Sequence, residues 1–265
     1  MGSARNILKS RKKALDDIER LLGNPENLYA IHYSCESFID IKDGRSPRIT
    51  SIAILNVGTR QAISFSIHQM AERKRYEVAA IESHCDELEK MMLDDFYKYV
   101  ETHPHARWLH WNMRDINYGF SAISHRYIVL GGQPISIHEN NCYDLARILK
   151  AIYGPLYISH PRMKSLVEKN GITDKSFLDG PQEANAFNNR EYIALHQSTL
   201  RKVNIITTIA EMIWNNSLQT DTTWKDKYGI NVAGVIEMIS DHWFFKLLGF
   251  VAILITIFGP ILHLF

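Results

Sequence analysis

The spacing of apolar positions changes character along the 265 residues. In residues 3–22, Leu8, Leu15, Ile18, Leu21 and Leu22 recur at helical intervals among charged neighbours, and Gly23-Asn24-Pro25 stops the run. This predicts an N-terminal helix within residues 1–25. The period then shortens. Leu28–Tyr33 predicts a first strand, followed by a loop holding Asp43-Gly44 and Pro47. Ile49–Val57 and Ala62–Ile67 predict a hairpin turned at Gly58-Thr59. Helical spacing returns over Asp86–Val100, where Leu88, Met92, Phe96 and Val100 lie on or near one face, and His103-Pro104 ends it. Arg107–Trp111 predicts a short strand, Asp115–Tyr127 a helix, and Pro134–His138 a further strand after the Gly131-Gly132 turn. Helices follow at Cys142–Tyr153 and Pro161–Asn170. After the turn at Asp179-Gly180-Pro181 a long helical stretch covers 182–216. Strands mixed with helices and then helices alone predict an α/β domain with a mixed sheet of about five strands over residues 26–225.

The last segment has no polar period. Leu247 to Phe265 is 19 residues without Asp, Glu, Lys or Arg. As a helix it spans roughly 28 Å, near the hydrocarbon thickness of a bilayer. A buried core helix would keep a polar face, and this segment offers only Thr256 and His263. Trp243 and Lys246 stand at its boundary, where headgroups satisfy ring and ammonium together. Pro260 frees backbone carbonyls inside the span, which calls for a neighbouring helix and hence for oligomerisation through it. The expectation is a transmembrane tail over 243–265 preceded by a juxtamembrane amphipathic helix within 226–242. The bulk of the chain is then cytosolic, with the lipid bilayer as a partner. Residues 1–22 contain no apolar signal-like run, and three cysteines without a CxxC pair fit a reducing compartment.

The tail also changes the meaning of the composition. The mean hydropathy of −0.18 and net charge of +1 describe a soluble protein. All 30 Lys and Arg and all 29 Asp and Glu nevertheless precede residue 247. With charges this balanced, any nucleic-acid contact comes from a local patch, the best being Arg73-Lys74-Arg75 and Arg201-Lys202.

The candidate chemistry lies at strand ends. Tyr33-Ser34-Cys35-Glu36-Ser37 closes the first strand, and a loop and hairpin follow through Arg48-Ile49-Thr50-Ser51-Ile52-Ala53. A helix then carries Glu89 and Phe96. His110-Trp111-Asn112-Met113-Arg114-Asp115 comes next, with Asn117-Tyr118-Gly119-Phe120 and Arg126 beyond it, and Glu183-Ala184 opens the late helix. This order resembles the DEDD-type exonucleases of the RNase H-like fold. Their first strand ends in Asp-x-Glu, a segment of the form His-Asn-x-x-Phe-Asp follows the short strand, and a late helix supplies the last acid. The resemblance implies catalytic roles for Glu36, Asp115 and Glu183, with Glu36 and Asp115 binding Mg or Mn in a 3'-5' exonuclease. Two such ions need hard anionic oxygens to hold them beside a phosphodiester.

The departures from that pattern are specific. Ser34 stands where the family has its first Asp, either Asp115 or Asn117 takes the second acidic place, and no His precedes Glu183 by about five residues. Asp40 or Asp43 is an alternative carboxylate. Elsewhere, His103, His105 and His110 form a metal-like grouping, whereas Trp108, Trp111 and Tyr118 read as core. Ser198 and His196, two apart on a helix, point to different sides, and the chain has no GxSxG elbow.

Two functions follow. One is a membrane-anchored nucleic-acid-binding or metal-dependent nuclease-like protein with a degenerate active site. The alternative is a non-enzymatic membrane effector of the toxic, bacterial-defence or abortive-infection type. Its cytosolic domain senses a signal, such as a nucleotide, and its tail oligomerises in the bilayer.

Overall fold

The structure, a computed structural model, describes residues 2–36, 46–114, 117–223, 226–227, 247 and 249–250. Asp115, the loop acids Asp40 and Asp43, and the tail residues Trp243, Lys246 and Pro260 lie outside the described residues, as does nearly all of the expected juxtamembrane and membrane helix. Among the described residues no helix is long and apolar enough to cross a membrane.

The elements in chain order are α1 (Gly2–Gly23), β1 (Leu28–Cys35), β2 (Ile49–Asn56), β3 (Ala62–Ser66), α2 (Ile67–Lys74), α3 (Cys85–Thr102) and β4 (Arg107–His110). After them come α4 (Phe120–Val129), β5 (Cys142–Asp144), α5 (Leu145–Tyr153), α6 (Arg162–Lys169), α7 (Gly180–Asn188) and α8 (Tyr192–Trp214). The five strands form one mixed sheet in the order β3-β2-β1-β4-β5. β1, β2 and β3 run antiparallel as a meander, and β4 and β5 add to the other side of β1 in parallel. The fold is thus α/β with a five-strand mixed sheet.

The chain divides into two compact units. The larger, Asp16–Ile148 with Ile158–Thr220, contains the whole sheet. The smaller comprises Met1–Leu15, Leu149–Tyr157 and Asp221–Phe265. Within it, the Thr222 hydroxyl donates to the Tyr153 carbonyl and the Asp221 amide to that of Tyr157, each at 2.8 Å.

In the larger unit, β1 is central and every one of its residues is buried, as a strand covered on both faces should be. Its odd positions, Tyr29, Ile31, Tyr33 and Cys35, join Leu88, Met92 and Phe96 of α3 in the main core. The opposite face meets α8, which packs across β1 and β2. On that face Ser34 and Ser51, register partners of β1 and β2, both reach Thr199 of α8. Glu89 lies in the buried stripe of α3. Its carboxylate accepts from Arg126 of α4 at 2.7 to 3.0 Å and from the Ile49 amide at 2.8 Å, tying both helices to the start of β2.

Four elements differ from the sequence expectation. The fifth strand is Cys142–Asp144 and not 134–138, because β5 is three residues long and runs straight into α5. α4 begins at Phe120 and not at 115. Gly119 has φ +153°, and a Cβ there would stand 2.5 Å from the Met113 carbonyl, so the chain turns sharply where helical spacing seemed to continue. The 182–216 stretch is two helices, broken where Arg190 adopts φ +62°. Finally, α2 follows β3 directly, with Ser66 as its cap, accepting from the Gln69 amide.

Candidate functional site

β1 turns into the meander on one side, and β4 pairs with it on the other. That is a topological switch, where ligands of α/β sheets bind beyond the carboxyl ends of the strands. A cavity of about 450 Å³ opens there. His32, Trp111, Asn112 and Tyr118 line it from the sheet side. Arg162 and Lys164 face it from α6, Glu183 from α7 and Lys202 from α8, with Phe177 and Asp179 between.

Glu183 owes its position to the start of α7. Asp179 caps this helix: its carboxylate accepts from the Gln182 amide, and the Gln182 side chain accepts from the Asp179 amide. Pro181 pre-sets the first turn, which carries Glu183. One oxygen of Glu183 then receives Ser34 Oγ at 2.8 Å, Ser198 Oγ at 3.1 Å and Lys202 Nζ at 2.7 Å. Thr199 Oγ1 lies 2.8 Å from Ser34 and 2.7 Å from Ser51. Thr199 Oγ1 also has the Leu195 carbonyl as an acceptor at 2.9 Å, so its hydroxyl ties α8 to both strands. Ser198 is fixed in turn by the Leu178 amide at 3.1 Å. The Lys202 ammonium also lies 5.5 Å from the Phe177 ring centre.

The neighbouring histidines are neutral. Burial pushes the His32 imidazole well below its ordinary range, helped by the Lys202 charge and then by His110. His32 is 5% exposed, and its Nδ1 has no hydrogen-bond partner among the described residues. His110, the last residue of β4, is pushed down to about 4 by burial against the opposing pull of Asp144. Its Nδ1 accepts from the Met113 amide at 3.1 Å. Asp144 of β5 accepts from the Asn112 and Ala146 amides at 3.0 and 3.1 Å, which holds Asn112 in its left-handed conformation (φ +55°) at the cavity rim. Tyr118 stacks on Tyr33 with ring centres 4.7 Å apart.

Of the sequence-predicted acids, Glu183 meets Ser34 at the cavity. Glu36 is buried just past β1, beyond a register shift between Ser34 and Cys35, and accepts from the Arg48 amide at 2.7 Å. Asp115 lies outside the described residues. The histidine grouping separates: His103 stacks on Tyr99 while His110 is buried in the sheet, and no three His, Cys, Asp or Glu among the described residues are gathered to hold a metal ion. Trp108 is core, but Trp111 and Tyr118 line the cavity. Ser198 and His196 do point apart, to Glu183 and to Ser64. Burial raises all three thiols, Cys142 to about 12, so none is an activated nucleophile.

Lys202 is the residue that sequence reasoning placed wrongly. Its neighbour Arg201 made the pair look like a surface patch. Arg201 does face outward, donating to the Lys175 carbonyl, while Lys202 is 6% exposed. The available signal was its position four residues after Ser198, on the face that also carries Thr199, Val203 and Ile206. Arg73 and Lys74 of the other patch pair with Asp95 and Glu87.

Among the described residues, the donor set around Glu183 does not fit a pair of divalent ions. Such a pair needs several anionic oxygens. Here the contacted carboxylate oxygen already holds an ammonium and two hydroxyls. Comparison with models of known families, with characterised proteins and with solved structures finds no match.

Proposed function

We propose that this chain is a membrane-anchored protein whose RNase H-like domain binds nucleic acid, or a nucleotide signal, without being built for metal-dependent hydrolysis. The observation that carries the reading is the meeting of Ser34 and Glu183 beside the carboxyl end of β1, in a sheet ordered β3-β2-β1-β4-β5. An RNase H-like domain brings its first-strand and late-helix acids together at that place. The loss of the first acid and the arrival of Lys202 favour binding over cleavage. Trp111 and Tyr118 offer ring surfaces for bases, and Arg162, Lys164 and Lys202 offer positive charge for a phosphate backbone.

The test uses the full chain in detergent with labelled single-stranded RNA and DNA, followed by fluorescence anisotropy and by gel. Saturable binding that weakens at least tenfold in Trp111→Ala, with no cleavage on adding Mg²⁺ or Mn²⁺, is the expected result. Failure of either polymer to bind, or of nucleotides to compete, sinks the nucleic-acid reading. Cleavage abolished by Glu36→Ala would restore the nuclease.

The apolar segment 247–265 favours a second, compatible reading, a non-enzymatic membrane effector whose cleft senses the signal and whose tail assembles in the bilayer. Under it, deleting 243–265 abolishes membrane depolarisation in cells and Glu36→Ala does not.

A further inference from the structure

Lys202 is the residue in the cleft with no counterpart in a two-ion nuclease. A buried ammonium is costly unless a fixed anion balances it. Glu183 is that anion, at 2.7 Å. The other groups on the same carboxylate oxygen, Ser34 and Ser198, are neutral hydroxyls, and Thr199 and Ser51 behind Ser34 are neutral as well. The charges of Glu183 and Lys202 cancel. A carboxylate in place of Ser34 would set a second negative charge against the one ammonium in contact with Glu183, and removing Lys202 would leave Glu183 without that ammonium. Ser34 and Lys202 are therefore a matched pair: a hydroxyl where a second ligand acid would stand, and an ammonium where its cation would stand.

We propose that Lys202 is a built-in cation that replaces a divalent metal ion at Glu183, so that the cleft, whose lining also carries Arg162 and Lys164 against Asp179, takes an anionic, phosphate-type group without metal. This rests on the RNase H-like reading above for the place of the ion, but not on the identity of the ligand. An ammonium carries three donors and Glu183 engages one of them, while Lys202 itself lines the cavity. Its position is set by α8, whose Thr199 is pinned to both β1 and β2 through Ser34 and Ser51. The charge therefore comes with the fold and not from solution.

The inference is tested on the purified full chain in detergent, with Mn²⁺ alone as the first probe. Loss of the free-ion paramagnetic signal measures binding, and the unfolding temperature in Mn²⁺ against a chelator measures linkage. The parent should show neither effect. Ser34→Asp/Lys202→Ala, which restores the acid and removes the ammonium, should bind Mn²⁺ at least tenfold more tightly and unfold at a higher temperature with the ion than with the chelator. Mn²⁺ binding by the parent that Glu183→Gln abolishes would overturn the proposal, as would a folded double variant indifferent to Mn²⁺.

Should that variant not fold, Glu183→Gln/Lys202→Met keeps both volumes and removes both charges. The second probe is a labelled oligonucleotide. The parent should bind it equally with and without chelator, and Glu183→Gln/Lys202→Met should bind at least tenfold more weakly. Equal binding by the two proteins, or loss of parent binding in chelator, overturns the proposal. If the parent binds no oligonucleotide at all, the nucleic-acid reading falls, and the Mn²⁺ comparison still decides whether Lys202 replaces the ion.

Discussion

His196 and His68 face one another between α8 and α2, their ring centres 4.9 Å apart. Nε2 of His196 lies 2.7 Å from the hydroxyl of Ser64, while His68 Nδ1 meets Ser66 Oγ at 3.0 Å. Burial, and secondarily the His68 charge, push His196 down to about 4. Burial also lowers His68, against the upward pull of Glu72. A histidine whose folded value is depressed binds fewer protons folded than unfolded between the two values. Its contribution is therefore intact above the unfolded value of roughly 6.5 and is lost as the pH falls toward the folded one. For a folded value of about 4, the loss between about pH 7 and about pH 5 is roughly 2 kcal/mol. His110, also pushed to about 4, and His32 act in the same direction. We predict that His196→Gln, which keeps a polar partner for Ser64, flattens the acid loss of stability by roughly 2 kcal/mol over that interval. Urea unfolding of parent and variant at the two pH values measures it, and parallel pH slopes would disprove the assignment to His196.

At the scale of elements, α7 is a short helix whose first turn holds the acid of the site. Asp179 both closes a reciprocal cap with Gln182 and pairs with Lys164 of α6 at 3.3 Å. Asp179→Ala should cost about 1 kcal/mol, the usual worth of such a cap. It should also weaken oligonucleotide binding severalfold, because Glu183 loses the turn that aims it at Ser34. A variant that loses stability without losing affinity would separate the cap from the site. The same helix shows what the sequence makes legible. β1 to β4 are readable because strand-length apolar runs are bounded by Gly, Pro and Asp. α7 and α8 merge into one helix on paper, because no Gly or Pro interrupts 182–216, while a single left-handed residue, Arg190, redirects the backbone. β5 is too short and polar to announce itself, and Cys142–Asp144 reads as the first turn of a helix that in fact begins at Leu145. In the site, Ser34 is visible as a departure and Glu183 as an acid, since both are matters of residue type. Their hydrogen bond spans 149 positions, and Lys202 enters from a helix whose buried face is defined only once α8 lies on the sheet.

On the scale of the whole molecule, the cleft and the proposed membrane anchor fall in separate stretches of chain. Every described residue lining the cleft belongs to the larger unit, whereas 243–265 belong to the smaller. No Lys, Arg, Asp or Glu follows Lys246, so the net +1 is carried entirely by residues 1–246. On the proposed reading, the 19 residues 247–265, which contain no Asp, Glu, Lys or Arg, gain by leaving water for lipid. Deletion of 243–265 should therefore move the protein from a carbonate-resistant membrane pellet into the supernatant. Its affinity for an oligonucleotide should stay within about twofold of the full chain, since the described residues that line the cleft all precede residue 203. Glu183→Gln/Lys202→Met should do the opposite, remaining in the pellet while losing affinity. Fractionation and anisotropy on the same two variants give four values. A deletion that stays in the pellet would remove the anchor from residues 243–265. A deletion that is soluble but no longer binds would mean that the tail contributes to recognition as well as to attachment.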